Sequence, residues 1–382
     1  MSKSAINHNF QFSIFNFQLL ILHCTLLILL FFSCGRDNSH DEDLKIFKYN
    51  ESAGILTLDP IYAKDLPHIW ACNQIFNGLV AFDDEMNVVP AIAKSWNISD
   101  DGMTYTFVLR DDVYFHEDEC FLKTTDIGYA STRRVTAHDF VYSFNRVLDR
   151  KLNSSGSWIF ANVNKRQQTT DNGQRIFEYA FEAINDTILK IELAQPFPAF
   201  LGILSMTYAS VVPKEAVDFY GTEFGRHPVG TGPFKYQYWK EGVKLVFRKN
   251  PNYFEKIGEE RLPYLDAVSI SFIIDKQVAF MEFVKGKFDF MSGIDARYKD
   301  ELLTRDGQLR QEYEDDIYLI REPYLNTEYL AFFLGENDTL GKERSLALRQ
   351  AVSYSIDREK MLRYLRNGIG TPGNYGIIPV GL

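Results

Sequence analysis

Residues 230–254, GTGPFKYQYWKEGVKLVFRKNPNYF, decide the fold of this chain. Gly230 and Gly232 flank Thr231 and Pro233 follows, so the backbone can turn where a side chain would clash and is pinned as it leaves. The pattern predicts a tight turn entering a strand. Two runs rich in aromatic and β-branched residues come next, 234–239 and 244–248, separated by Glu241-Gly242 as in a hairpin. Asn250-Pro251-Asn252 ends it.

Before this hairpin, residues 45–49 read as a first strand, and Leu58-Asp59-Pro60 closes a loop ahead of a helix over 69–76. Gly78 is placed to end that helix in the left-handed conformation. Tyr105, Phe107 and Leu109 alternate with Thr104, Thr106 and Val108, giving a strand with one buried face. Thr136 and Asp139 form a variant capping box, and Phe140, Val141, Phe144, Val147 and Leu148 behind it fall at helix spacing. NSSGS at 153–157 lacks the GxxxxGK[ST] pattern that cradles phosphate and reads as a surface loop. Segments 179–183 and 187–193 predict a second hairpin, which Pro196-Phe197-Pro198 interrupts. After the central hairpin the expectation is a strand over 267–274, a helix over 277–285 stopped by Gly286, and a strand over 288–294. Two helices follow, over 344–355 and 357–365, the second capped by Asp357.

A chain of 382 residues with 46% hydrophobic content can build more than one packed lobe. Its net charge of -10, with no dense basic run, argues against a nucleic-acid surface. The seven histidines form no HExxH pair, no GxSxG elbow is present, and no CxxC or Cys/His cluster suggests structural zinc. No catalytic residue, metal or cofactor is therefore expected. Gly368, Gly370 and Gly373 match GxGxxG, but they follow a helix and run into Pro372 and Asn374, which fits a helix cap and turn. His116 and His138 are assigned hydrogen-bonded structural roles. Cys72 and Cys120 fall in the folded part, where two independent thiols are favoured over a bridge.

Residues 19–32 run apolar apart from His23 and Thr25, short of the roughly 20 residues that span a bilayer, and Ser33-Cys34-Gly35 follows at once. The run reads as a signal peptide over 1–33, and the small residue before Cys34 resembles a bacterial lipobox, although Phe31 departs from its usual Leu. Cys34 would then be lipidated and begin the mature chain, ahead of a flexible acidic tether over 34–43. An uncleaved anchor with Cys34 as an ordinary thiol is the other reading.

The GTGPF turn, the hairpin with its central glycine and the RKNPNYF exit resemble the signature of one family. It is that of the extracytoplasmic solute-binding proteins of ABC importers, of the oligopeptide, dipeptide and nickel type. Further matching pieces occur in the family's order: LDP at 58–60, IFNGL at 75–79, PAIAKSW at 90–96, DDGMTYTFVLRDDVYFH at 100–116, VTAHDFVYSFNRVLD at 135–149 and ALRQAVSYSIDREKM at 347–361. The resemblance implies an α/β, periplasmic-binding-protein-like two-lobe fold with mixed sheets. Residues 44–320 would form the first lobe, with an inserted subdomain at about 90–215, and 321–382 the hinge crossing and the start of a second, incomplete lobe.

The resemblance further implies a peptide ligand captured in the interlobe cleft, an ABC permease complex as partner, a membrane reached through the lipid anchor, and an extracytoplasmic location, periplasmic or at the cell surface. The segment 64–70 matches a lining of the cleft, which makes Asp65, Leu66, His68 and Trp70 candidate ligand contacts. Met291, Ser292 and Gly293 match a second lining, and Tyr324 and Tyr329 fall where the chain crosses between lobes. For each of these, packing or loop structure is the competing role. Family members continue beyond the position of Gly381-Leu382, so the expectation is a truncated chain in which Ile377, Ile378 and Val380 lose their covering surface. The resemblance places the acidic residue that meets a peptide's amino terminus beyond that position, so the role is assigned to no residue of this sequence. Two rivals stand beside peptide capture: a nickel or metal-chelate receptor, and a lipoprotein fragment that transports nothing.

Overall fold

The computed structural model describes residues 44–122, 131–169, 175–321, 326–335, 341–374 and 376–379. The chain divides into two compact units, Met1–Ile46 and Phe47–Leu382. The predicted leader, Cys34, the tether, Tyr324 and Val380 lie outside the described residues.

Strand β1 (Ile46–Asn50) opens the described chain, and helix α1 (Leu66–Ile75) follows a loop. The helix starts three residues earlier than its apolar spacing predicts. Asp65 caps it by accepting from the His68 N–H, and Pro67 sits in the first turn, where its missing N–H has no intrahelical partner to lose. Gly78 does not end it. The helix closes at Phe76 in extended conformation, and Gly78 instead makes a close approach, where a Cβ would stand a tight 3.1 Å from the Leu204 carbonyl oxygen.

Strands β2 (Val80–Phe82) and β3 (Val88–Pro90) form a small hairpin. Next come β4 (Ala93–Ile98) and β5 (Thr104–Leu109), in which Tyr105, Phe107 and Leu109 are the buried face as their alternation requires. Helix α2 (Ala137–Leu148) begins with the predicted capping box, with the Asp139 carboxylate accepting from the Thr136 N–H at 2.8 Å. Strands β6 (Lys165–Thr169) and β7 (Arg175–Tyr179) pair with each other. Strands β8 (Phe181–Asn185) and β9 (Ile188–Glu192) complete a four-stranded sheet of order β4-β5-β9-β8. Helix α2 lies on it and drives Phe144 between Phe160 and Phe181, with ring centroids 4.7 and 5.2 Å away. Each such fully buried ring contributes on the order of 1.5–3 kcal/mol. The NSSGS segment is a turn, but only part of it is surface: Ser154 is buried against the Ile61 carbonyl, and Gly156 faces the Tyr208 ring so closely that a Cβ would stand 2.3 Å away.

Helix α3 (Lys214–Tyr220) leads to the central hairpin, β10 (Phe234–Lys240) and β11 (Lys244–Lys249), with Gly242 at positive φ in its turn. Strand β12 (Ala267–Ser271) pairs with β11, placing Leu245 opposite Ile270 and Phe247 opposite Val268, and the second four-stranded sheet runs β1-β12-β11-β10. The two turn glycines are required by close approach. Gly232 donates its N–H to the Ile75 carbonyl at 2.7 Å, and a Cβ on Gly230 would stand 2.1 Å from the same oxygen.

Helix α4 (Lys276–Val284) is capped by Asp275 and stopped at Gly286, as expected. The strand predicted over 288–294 reduces to one parallel bridge, Phe290 with Tyr49. Past it the chain turns aside to build a second small core, in which Phe280 stacks on Tyr298 at 4.4 Å above Leu302 and Leu303. Leu302 ends the short helix α5 (Lys299–Leu302). Helices α6 (Lys342–Ser355) and α7 (Arg358–Leu365) follow, α7 capped by Asp357. The loop after α7 is tied to α5, since Asn367, buried and at positive φ, donates to Asp300 and accepts from Lys299 at 2.7 Å. Elsewhere α6 and α7 present apolar side chains outward, with Tyr354 and Leu365 exposed. Ile377 and Ile378 are exposed as well.

Candidate ligand-binding site

The first predicted lining is held from below by a buried ion pair. Asp59 accepts from Ile61 N–H and from both terminal nitrogens of Arg146, at 2.8 and 2.6 Å, with both side chains under 10% exposed. The Arg146 guanidinium also lies over the Phe224 ring, 5.4 Å from its centroid. This fixes the turn at residues 60–62, so the following segment leaves the core at a set angle. Neither Asp59 nor Arg146 was marked by its neighbours in sequence. They are far apart along the chain, and only the fold brings them together.

On that base, Asp65 and Leu66 are exposed, Trp70 is half-buried and His68 is buried. His68 has both ring nitrogens engaged: Nε2 accepts from the Leu56 N–H at 3.1 Å, which requires Nδ1 to carry the proton and donate to Asp65. Burial opposes ionisation of Asp65, but the His68 side chain and backbone N–H outweigh it and hold its carboxyl below the usual range. His68 therefore serves to join the 56 loop to the start of α1, and Asp65 and Leu66 are the groups this segment offers to solvent.

In the second predicted lining, Ser292 and Gly293 are exposed, Gly293 at positive φ, and Met291 is half-buried. The Tyr298 hydroxyl donates to the Gly293 carbonyl at 3.2 Å and lies 3.7 Å from the Met291 sulfur. Met291 and Ser292 continue from the Tyr49–Phe290 bridge with no ladder partner among the described residues. Tyr329 is 70% exposed in an extended stretch. The described hydrogen bonds of one lining do not reach the other, and none of the described candidates lines either of two cavities elsewhere among the described residues. One, of about 200 Å³, opens beside β10, and a wider groove of about 610 Å³ runs along residues 317–321.

Cys72 and Cys120 are both buried free thiols, and burial pushes each thiol upward in pKa. His138 is exposed and 3.9 Å from Asp186. Among the described residues no group of three or more His, Cys, Asp or Glu side chains could hold a metal ion, and no helix is long and apolar enough to cross a membrane.

Comparison with known proteins adds the following. The model of the bacterial extracellular solute-binding proteins, family 5 Middle, matches residues 87–382. The glutathione-binding protein GsiB of Escherichia coli is 27% identical over 323 residues, which is 85% of this chain and 54% of GsiB. The chain thus spans about half the length of the curated relatives it matches. The solved structure of the E. coli murein tripeptide binding protein MppA superposes with a TM-score of 0.65 at 25% identity, covering 85% of this chain and 58% of MppA. NikZ of Campylobacter jejuni, solved in complex with Ni(L-His), superposes at 0.61 with 24% identity over 86% of this chain and 57% of its own.

Proposed function

Because the chain belongs to the bacterial extracellular solute-binding proteins of family 5, we propose that it captures peptides in a cleft between two lobes and presents them to an ABC permease complex. The match of the family model over residues 87–382 carries the proposal. Residues 44–320 form the first lobe with its insert at about 90–215, and 321–382 make the crossing into the second. Asp65, Leu66 and Trp70 line one side of the cleft, with His68 buried behind them holding Asp65, and Met291, Ser292 and Gly293 the other, with Tyr324 and Tyr329 at the crossing. The open backbone of Met291 and Ser292 after the Phe290 bridge supports capture of an extended main chain as an added strand, and exposed Asp65 supplies an acceptor for a peptide N–H. Closure of the lobes then encloses the ligand, and no bond is made or broken.

Cys34 is the lipid attachment point, and the mature chain is held outside the cytoplasm. Incorporation of labelled palmitate that disappears in Cys34→Ala checks this assignment, and unchanged incorporation contradicts it.

A nickel-chelate receptor is the second reading, favoured by the likeness to NikZ, which is one of fold. Incubating the full-length chain with a randomised tri- to pentapeptide pool, glutathione and Ni(L-His), then identifying retained species by mass spectrometry, separates the readings. Retention of peptides, reduced at least tenfold by Trp70→Ala, is the expected result. Retention of nickel alone would replace peptide capture with the second reading, and retention of nothing would favour a lipoprotein that transports nothing.

A further inference from the structure

The cavity of about 200 Å³ shares no residue with either proposed lining, and three separate segments wall it: residues 116–118, Tyr220 with residues 227–229, and the facing strands β10 and β11. Its hydrogen-bonding groups can be accounted for one by one. His116 is fully engaged, Nδ1 accepting from the Gly230 N–H and Nε2 bonded to the Gly232 carbonyl. Asp118 is also engaged, since both its oxygens lie 3.0 Å from the Tyr220 hydroxyl and one accepts from the Cys120 N–H at 2.9 Å. Glu117 is bonded to Lys235 at 3.1 Å.

What remains is donor capacity. The Lys235 side chain is only 9% exposed and has that one acceptor for three protons among the described residues. An ammonium so far out of water is unfavourable unless its other protons also find acceptors. Arg248 makes no side-chain hydrogen bond or ion pair among the described residues, and it lies directly opposite Lys235 in the β10–β11 register. Like charges facing each other across a ladder destabilise it unless an anion sits between them. The His227 ring is held in the same wall by stacking on Tyr220, 4.8 Å between centroids and 10° from parallel, while its nitrogens have no hydrogen-bond partner among the described residues.

We propose that this cavity is a second ligand site that takes one small oxyanion, a carboxylate or a phosphate, between Lys235, Arg248 and His227. The volume admits a small organic acid or inorganic phosphate and is too small for an extended peptide, so this site is separate from the cleft and does not depend on it. Glu117 and Asp118 close by, although engaged, keep the affinity modest and salt-sensitive.

The test is calorimetric titration of the full-length chain with inorganic phosphate and, separately, with succinate, at ionic strength matched with sodium chloride. Saturable binding to one site is expected for at least one of them, and which one binds tells phosphoryl from carboxylate recognition. Arg248→Ala weakens it at least tenfold, Arg248→Lys recovers part of the loss, and the surface variant Arg150→Ala leaves it unchanged. Because Arg248 is exposed and makes no side-chain bond among the described residues, and Arg248→Ala relieves the like-charge pair with Lys235, neither variant is expected to unfold below the wild-type temperature. Absence of saturable heat with either anion, or equal affinity in Arg248→Ala, overturns the proposal.

Discussion

His116 joins the stretch that follows β5 to the GTGPF turn through both ring nitrogens, and burial pushes its pKa down from 6.5 to about 4, against a smaller upward pull from the Gly232 carbonyl. The unfolded chain binds a proton near pH 6.5 that the folded chain refuses until about pH 4. Stability from this group is therefore complete above about pH 6.5 and is lost as pH falls toward 4, by roughly 3 kcal/mol across the window. Urea denaturation at a series of pH values should show this fall in wild type and a flatter profile in His116→Gln; identical slopes would contradict it. Asp59→Ala strands the buried Arg146 guanidinium and should destabilise by about 3–5 kcal/mol, read from the same denaturation midpoint. Gly232→Ala would put a Cβ 2.5 Å from the Ile75 carbonyl carbon and should be unfavourable by about 1–3 kcal/mol. The glycines of the turn were legible in sequence as turn residues, but the contact that requires them comes from Ile75, far along the chain. The Asp59–Arg146 pair was not legible, because its two halves meet only across the fold.

At the scale of elements, α2 separates local from long-range stabilisation. Thr136→Ala should remove about 1 kcal/mol of capping. Asp139→Ala should remove more, because the same carboxylate also takes two bonds from Arg133, at 2.9 and 2.7 Å, and Arg133 in turn binds Glu215 of α3. Equal losses for the two variants, measured by thermal unfolding, would mean that the Arg133 network contributes nothing beyond the cap. Strand β5 and helix α2 were readable because one face of each meets a core, so period and burial agree. Residues 288–294 carry the same strand-like alternation, yet only Phe290 pairs; the Tyr298 hydroxyl draws the Gly293 carbonyl and the chain toward the second small core. A competing tertiary contact of that kind leaves no local signal. The misplaced cap at Gly78 has the same origin, since the contact that crowds a side chain there comes from Leu204, far along the chain.

For the whole molecule, the order of motifs from residue 58 onward was enough to place the chain in its family, while the site was legible only as segments. Asp65 and Leu66 emerge on the surface beside a helix start, and Ser292 and Gly293 on the surface beside a bridge, but sequence spacing says nothing of the distance between such patches. The apolar groups that α6 and α7 show to solvent predict self-association at micromolar concentration, detectable by sedimentation as species larger than a monomer. Leu365→Gln should reduce that association while changing stability by less than about 0.5 kcal/mol. Peptide capture itself is tested most directly by thermal unfolding of the full-length chain against rising concentrations of a tetrapeptide pool. A ligand that binds the folded state alone adds about 2.7 kcal/mol at a hundred times its Kd, so the Tm should climb steadily with concentration, and less in Trp70→Ala. A cooperative transition whose Tm does not move at millimolar peptide would contradict the function proposed for this chain.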